Sequence, residues 1–226
     1  MKLCFKTILF SGVSLLVAAS SAQANLLTNG DFATDLSSWT ATPSAPTTIA
    51  YDGSEGIPSG SAKLDRVDST NSSNGNYLWQ AVPVSNGAQY KLDADWKGDL
   101  LNGGSGRNWA EVAVEFNNTG VLTEPIDTNI QYKVATDGGN DVYSHPFDWT
   151  SILTAPSSGP ADGIFTATGD FMIVAFNIGG RDVTRNNTQP GFYWVDNASI
   201  TRIPEPATIA LLGMSTCGLL FRRRHS

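Results

Sequence analysis

Three aromatic residues in the middle of the chain have the spacing of a sugar-binding surface. Trp109 shares its strand parity with Glu111 and Glu115, which places it on the polar face of the predicted strand. Tyr77 and Trp79 alternate in the same way with apolar neighbours. The C–H faces of pyranose rings stack on exposed aromatic rings. We therefore predict Tyr77, Trp79 and Trp109 as glycan-binding residues; the alternative, equally open, is that a loop or second sheet covers them as core.

Catalytic chemistry finds little support in the sequence. His145 is the one histidine before the C-terminal tail, and its neighbour Pro146 indicates a turn rather than a catalytic triad. Glu111 and Glu115 are four residues apart on one strand face, which separates them by about 13 Å. Glycosidase carboxylates are about 5 to 9.5 Å apart. We expect these glutamates to form a solvated polar face, and we predict that the protein is not an enzyme.

Composition excludes two further classes of function. The 226 residues include 14 Lys and Arg against 21 Asp and Glu, a net charge of −7. Over residues 25–203, nine bases against 20 acids leave −11, whereas nucleic-acid binding needs clustered basic residues. Cys4 and Cys217 both lie in the terminal segments. The region between them therefore has no disulfide, thiolate metal site or cysteine nucleophile.

The N-terminus has the three parts of a secretory signal peptide. Lys2 and Lys6 precede an apolar run over 7–19, and Ala22-Gln23-Ala24 is a small-x-small cleavage site. The apolar run is shorter than the ~20 residues of a membrane span, which disfavours a retained anchor. We predict that residues 1–24 are removed by cleavage between Ala24 and Asn25.

The C-terminal residues 204–226 also have three parts. They are Pro204, Glu205 and Pro206; an apolar stretch over 207–221; and Arg222, Arg223 and Arg224. The apolar stretch predicts a short transmembrane helix, and the arginines would remain on the cytoplasmic side.

This order of parts resembles the PEP-CTERM sorting signal. The resemblance implies an exosortase substrate that is held transiently in the inner membrane and cut near Pro204-Glu205-Pro206. It further implies a Gram-negative bacterium that makes exopolysaccharide, and delivery of the protein to the cell surface or the extracellular matrix of a biofilm. The signal predicts location and not activity.

The region 25–203 has the alternating pattern of a β protein. Apolar and polar residues alternate over 89–97, 109–116 and 129–134, whereas 171–178 and 191–201 are apolar on both faces, as in central strands. Turn residues such as Asn86-Gly87 separate these runs. The Pro-, Ser- and Gly-rich stretch 43–60 predicts a long surface loop. We predict an all-β fold, a single jelly-roll β-sandwich, between the signal peptide and the C-terminal helix.

Several motifs in this region resemble the galactose-binding-domain-like jelly rolls, a superfamily that includes carbohydrate-binding modules. Asn25-Leu26-Leu27-Thr28-Asn29-Gly30-Asp31-Phe32 is similar to the opening strand of that superfamily. Gln80-Ala81-Val82-Pro83-Val84 before Tyr90-Lys91-Leu92 is similar to a hairpin of these proteins, and the segment with Asp196-Asn197 to their closing strand, which lies beside the first. The resemblance implies the fold and suggests a sugar ligand.

The same resemblance implies a structural Ca2+ ion. The matching carboxylates are Asp31 and Asp196, with backbone carbonyls near Asn29, and oxygen ligands of this kind suit calcium. Ala33 stands where many members carry a glutamate, which weakens the match. The alternative is that Asp31 forms an Asx turn and Asp196 caps a strand edge.

Together these observations predict an exported, surface-sorted matrix protein that binds extracellular polysaccharide without catalysis. The alternative function is that of a structural or adhesive matrix protein with no defined glycan site.

Overall fold

The computed structural model describes residues 23–44, 47–66, 76–100, 106–123, 130–135, 146–155, 159–182 and 191–204. Residues 1–22 of the predicted signal sequence, His145 and the sorting segment beyond Pro204 lie outside these residues. Over the described ranges, no helix is long and apolar enough to cross a membrane.

The described residues form two antiparallel sheets. The strands are β1 Thr40–Thr42, β2 Thr47–Asp52, β3 Ser61–Arg66, β4 Tyr77–Pro83, β5 Gln89–Asp99, β6 Gly106–Asn117, β7 Ile130–Ala135, β8 Phe147–Ser151, β9 Ile164–Thr166, β10 Phe171–Asp182 and β11 Gly191–Ile203. The first sheet has the order β1-β4-β10-β6-β7. The second has the order β2-β3-β11-β5-β8, with β9 also paired to β5. The predicted β-sandwich is confirmed, and the chain passes repeatedly between its sheets.

The main core lies between the two sheets and follows the predicted alternation. In β5 the buried residues are Tyr90, Leu92, Ala94 and Trp96, and in β6 they are Ala110, Val112 and Val114. The run 171–178 became β10, which has β4 and β6 on its two sides, and the run 191–201 became β11, between β3 and β5. Both are central strands of their sheets, as predicted. Residues 172–179 of β10 are buried on both faces, which accounts for their apolar character, whereas alternate residues of β11 are only partly buried.

The opening segment differs from the predicted strand. It forms bends that lie against β11: Ala198 N–H donates to the Gly30 carbonyl over 2.8 Å, and Ile200 N–H donates to Asn25 Oδ1 over 2.9 Å. Asn29 has φ 53° and Phe32 has φ 42°, a left-handed backbone that cannot continue a strand. The predicted position beside the closing strand is confirmed, although the strand itself is replaced by these turns.

Two other local predictions were wrong. The stretch 43–60 contains β2, since Thr47, Thr48 and Ile49 are β-branched and pair with β3 despite the surrounding Pro and Gly. The predicted hairpin is a crossover, because β4 belongs to the first sheet and β5 to the second. Apolar alternation identifies a strand but does not identify the strand with which it pairs.

Candidate functional site

The three predicted glycan-binding residues lie on one face of the first sheet. Tyr77 pairs with Asn177, Trp79 pairs with Ala175, and Trp109 pairs with Gly179 across β4, β10 and β6. This face points away from the main core. We call it the outer face; it consists of Tyr77, Trp79, Trp109, Glu111, Ala113, Glu115, Ile173, Ala175, Asn177 and Gly179. The predicted parity of the aromatic residues is therefore confirmed.

The predicted exposure of these rings is correct only in part. Trp79 is partly exposed, but Tyr77 is 2% and Trp109 9% exposed. A Cβ atom on Gly179 would overlap the Trp109 indole, so this ring lies directly on the glycine backbone. Tyr77 forms a small apolar cluster with Ala113 and Ala175, against which Trp79 and Leu122 pack. The small residues of β6 and β10 thus allow the rings to pack flat against the sheet. The predicted solvent exposure is therefore wrong for Tyr77 and Trp109.

The two glutamates of the outer face are buried rather than solvated. Glu111 is 4% and Glu115 8% exposed, which corrects the predicted solvated polar face. Glu115 Oε1 accepts a hydrogen bond from Asn117 Nδ2 over 2.7 Å, and Oε2 accepts one from Thr123 N–H over 3.0 Å. Because both of its oxygens hold the loop that follows β6, Glu115 has a structural role.

One polar residue of this face was missed by the sequence reasoning. Asn177 is 3% exposed, and its Oδ1 atom has no hydrogen-bond partner within the described ranges. In the strand register it lies between Tyr77 and Glu111. The sequence contained one sign of this residue: Asn177 is the polar residue within the otherwise apolar run 171–178. A buried amide oxygen without a donor is uncommon and calls for an explanation.

Asp196, one of the two predicted calcium ligands, is fully buried in the middle of β11, where the pairing with β5 shifts register. Its Oδ2 accepts a hydrogen bond from Ile57 N–H and its Oδ1 accepts one from Asn197 N–H, each over 2.7 Å. Burial raises the pKa of Asp196, and the charges of Asp95 and Asp31 act in the same direction. The carboxylate therefore fastens the loop before β3 to β11, at an electrostatic cost.

The two predicted calcium ligands differ in their surroundings. Asp31 is exposed, and both Asp196 oxygens already accept backbone N–H groups. No group of three or more Asp, Glu, His or Cys residues is arranged to hold a metal within the described part of the chain. Calcium takes six to eight oxygen ligands. Calcium at Asp31 and Asp196 thus stays a prediction from the resemblance.

The second sheet has a different aromatic group on its own outer surface. Trp194 is partly buried, and its indole N–H donates to Asp52 Oδ2 over 2.9 Å. The Lys63 and Lys97 ammonium groups each lie 5.5 Å from the ring centre. This tryptophan is held by charged side chains of its own sheet, unlike Trp79, which packs against the apolar cluster of the first sheet.

Comparisons with known proteins give similarity to carbohydrate-binding β-sandwiches at low identity. No protein-family model matches the chain, and no curated protein does. A putative sugar-binding protein from Bacteroides thetaiotaomicron is 16% identical with a TM-score of 0.49, covering 80% of this chain and 100% of that one. A CBM61 module in complex with β-1,4-galactotriose is 14% identical with a TM-score of 0.48, covering 80% and 99%. The CBM22-1 xylan-binding domain of Paenibacillus barcinonensis is 12% identical with a TM-score of 0.43, covering 83% and 99%. At these scores the similarities carry no argument about the ligand of this chain.

Proposed function

We propose that this protein is an exported, non-catalytic polysaccharide-binding β-sandwich. The observation that supports the proposal is that Tyr77 and Trp79 of β4 and Trp109 of β6, two strands that are not consecutive in the chain, lie on one face of the first sheet. The same face carries hydrogen-bonding groups at Asn177 and Glu111. Sugar-binding surfaces combine these two features, since aromatic rings stack on the ligand and polar groups fix its orientation.

The floor of the outer face is covered by its own side chains. Ala113 and Ala175 are each 1% exposed and form a cluster with Tyr77, on which Trp79 and Leu122 pack. Trp79 is the aromatic residue of the three with partly exposed surface, and ligand stacking begins there. Binding without catalysis agrees with the use of the Glu115 carboxylate as a structural acceptor.

The proposed location rests on the terminal segments. Residues 1–24 direct export and are removed by cleavage after Ala24. Pro204-Glu205-Pro206, the apolar helix and Arg222, Arg223 and Arg224 then direct the protein to an exosortase. The protein then acts at the cell surface or in the extracellular matrix of a Gram-negative bacterium. We also propose a structural calcium ion near Asp31 and Asp196, but the proposed polysaccharide binding does not require it.

A specific observation favours the alternative function. Tyr77 and Trp109 are almost completely buried, as expected if the outer face serves as a second core of an adhesive or structural matrix protein. Under that alternative, Trp79 contributes to stability and not to ligand binding.

The two functions are separated by a matched pair of tryptophan variants. Purified protein is titrated with a panel of polysaccharides, including the exopolysaccharide of the host. Trp79→Ala should lower the affinity about 5- to 150-fold, because stacking on one aromatic ring is worth about 1 to 3 kcal/mol. Trp194→Ala changes a partly buried tryptophan on the second sheet and should leave the affinity unchanged.

Three outcomes decide between the functions. Saturable binding that Trp79→Ala weakens and Trp194→Ala does not would support the glycan-binding face. Equal effects of both variants would locate binding elsewhere, and absence of binding to every polysaccharide would favour the adhesive or structural protein.

A further inference from the structure

Asn177 places an unpaired acceptor in the middle of the outer face. Its side chain is 97% buried, and Oδ1 accepts no hydrogen bond from the described residues. Tyr77 and Glu111 are its neighbours across the sheet on either side, and Trp79 is its diagonal neighbour on β4. Diagonal neighbours on one face of a sheet are within reach of long side chains and of a common ligand.

Burial without a partner destabilises the folded protein. An amide oxygen that leaves water without gaining a donor loses free energy, whereas an apolar side chain of similar shape at the same position does not. The rest of β10 shows what packing alone would select: its other outer positions include Ile173, Ala175 and Gly179. Asn177 is therefore poorly explained by the stability of the sheet and well explained by a ligand that brings the missing donor.

We propose that Asn177 Oδ1 accepts a hydroxyl hydrogen from a glycan ligand, and that the acidic character of the protein makes this ligand a neutral glycan and not an anionic one. Sugar hydroxyl groups donate hydrogen bonds, whereas ionised carboxylate and sulfate oxygens only accept them. Residues 25–203 carry a net charge of −11. The protein as a whole therefore repels an anionic polymer more than a neutral one. This inference rests on the proposed function, since it assigns the ligand class of the same face.

The test compares pairs of polymers that share a sugar backbone and differ in charge. Full-length protein is titrated with dextran and dextran sulfate, with fully methyl-esterified and unesterified polygalacturonate, and with neutral xylan and galactan. We expect saturable binding to at least one neutral polymer and at least tenfold weaker binding to the anionic member of each pair.

Two asparagine variants then separate ligand binding from structure. Asn177→Leu should weaken neutral-glycan binding about 5- to 100-fold, the effect of losing a buried hydrogen bond, while its thermal midpoint is unchanged or higher. Asn76→Leu is the matched control. Asn76 is fully buried, but its Oδ1 accepts from Ser44 N–H over 2.8 Å and its Nδ2 donates to the Ile178 carbonyl over 3.2 Å. Its replacement should lower the thermal midpoint.

The outcomes distinguish the inference from the function on which it rests. Neutral-glycan binding that Trp79→Ala weakens and Asn177→Leu does not would overturn the inference and leave the proposed function. Tighter binding to the anionic polymers would do the same. A fall in thermal midpoint for Asn177→Leu as large as that for Asn76→Leu would assign Asn177 a structural role and overturn the inference. Absence of binding to every polymer would overturn the proposed function and the inference with it.

Discussion

Gly179 gives the sharpest test of how the outer face is built. A Cβ atom at this position would overlap the Cε2, Cζ2 and Nε1 atoms of Trp109. Gly179 is not among the glycines with positive φ, so an alanine meets no backbone strain there. The cost of Gly179→Ala therefore comes from the indole ring. Overpacking of this kind costs about 1 to 3 kcal/mol, or about 2 to 12 °C in thermal midpoint for a domain of this size.

The reasoning requires that this cost depend on Trp109. Trp109→Ala alone should destabilise the protein by about 3 to 5 kcal/mol, because the ring is 91% buried; the exposure predicted from sequence would instead have left stability nearly unchanged. In the Trp109→Ala background, Gly179→Ala has no ring to displace and should cost about 0.5 kcal/mol or less, or stabilise, since alanine suits a strand interior better than glycine. The expected coupling free energy is thus about 1 to 3 kcal/mol.

Urea unfolding followed by tryptophan fluorescence measures all four proteins of this double-mutant cycle. Gly87→Ala serves as the control, because Gly87 has φ 83° with no atom within 4 Å of an added Cβ, so its cost is backbone strain alone. That cost should be the same with and without Trp109. An equal cost of Gly179→Ala in both backgrounds would refute the described packing of the ring on β10 and, with it, the geometry of the outer face.

Three further predictions concern ionisation, calcium and processing. Because the folded pKa of Asp196 is raised, stability from this group is present below its unfolded pKa and lost as the pH rises through the folded pKa. Asp196→Asn should therefore gain stability relative to wild type as the pH rises above the ordinary aspartate pKa of about 3.9, measured by urea unfolding. Asp52→Asn is a control with the opposite expected trend. The Ser54 and Trp194 hydrogen bonds lower the pKa of Asp52, so the stability that Asp52 contributes is lost as the pH falls. If Asp52→Asn showed the same pH trend as Asp196→Asn, the stated directions of both pKa shifts would be contradicted. EDTA should lower the thermal midpoint by several degrees if Asp31 and Asp196 hold calcium, and an unchanged midpoint would remove that prediction. Mass spectrometry of the exported protein should find Asn25 as its first residue and a chain ending near Pro204; retention of residues 1–24 or of the arginine cluster would exclude the proposed processing.

Local patterns account for the parts of the fold that were predicted. The alternation over 89–97 gave the buried side of β5 correctly, and Trp96 is fully buried as expected. Alternation succeeds because successive side chains of a strand point to opposite faces, which is a property of the chain itself. The same rule placed Tyr77, Trp79 and Trp109 together on the outer face before any strand pairing was known.

Pairing and burial depend on residues far apart in the chain and were predicted less well. The crossover between β4 and β5 was read as a hairpin, since the turn between them resembles one locally. The exposure of Trp109 was also misjudged, because Gly179, 70 positions later in the sequence, provides the surface on which the ring lies. No spacing within β6 contains that information.

The sequence by itself determined the class of fold and the face on which strand residues lie, and it is the basis on which the two terminal sorting segments are proposed, because each of these follows from residues close together in the chain. The tertiary structure alone decided which strands are neighbours, how deeply the outer-face aromatics are buried, and that Asn177 lies between Tyr77 and Glu111 with Oδ1 unpaired. The physical reason is that accessibility and hydrogen bonding are properties of a packed surface, to which each sheet contributes strands from distant parts of the chain.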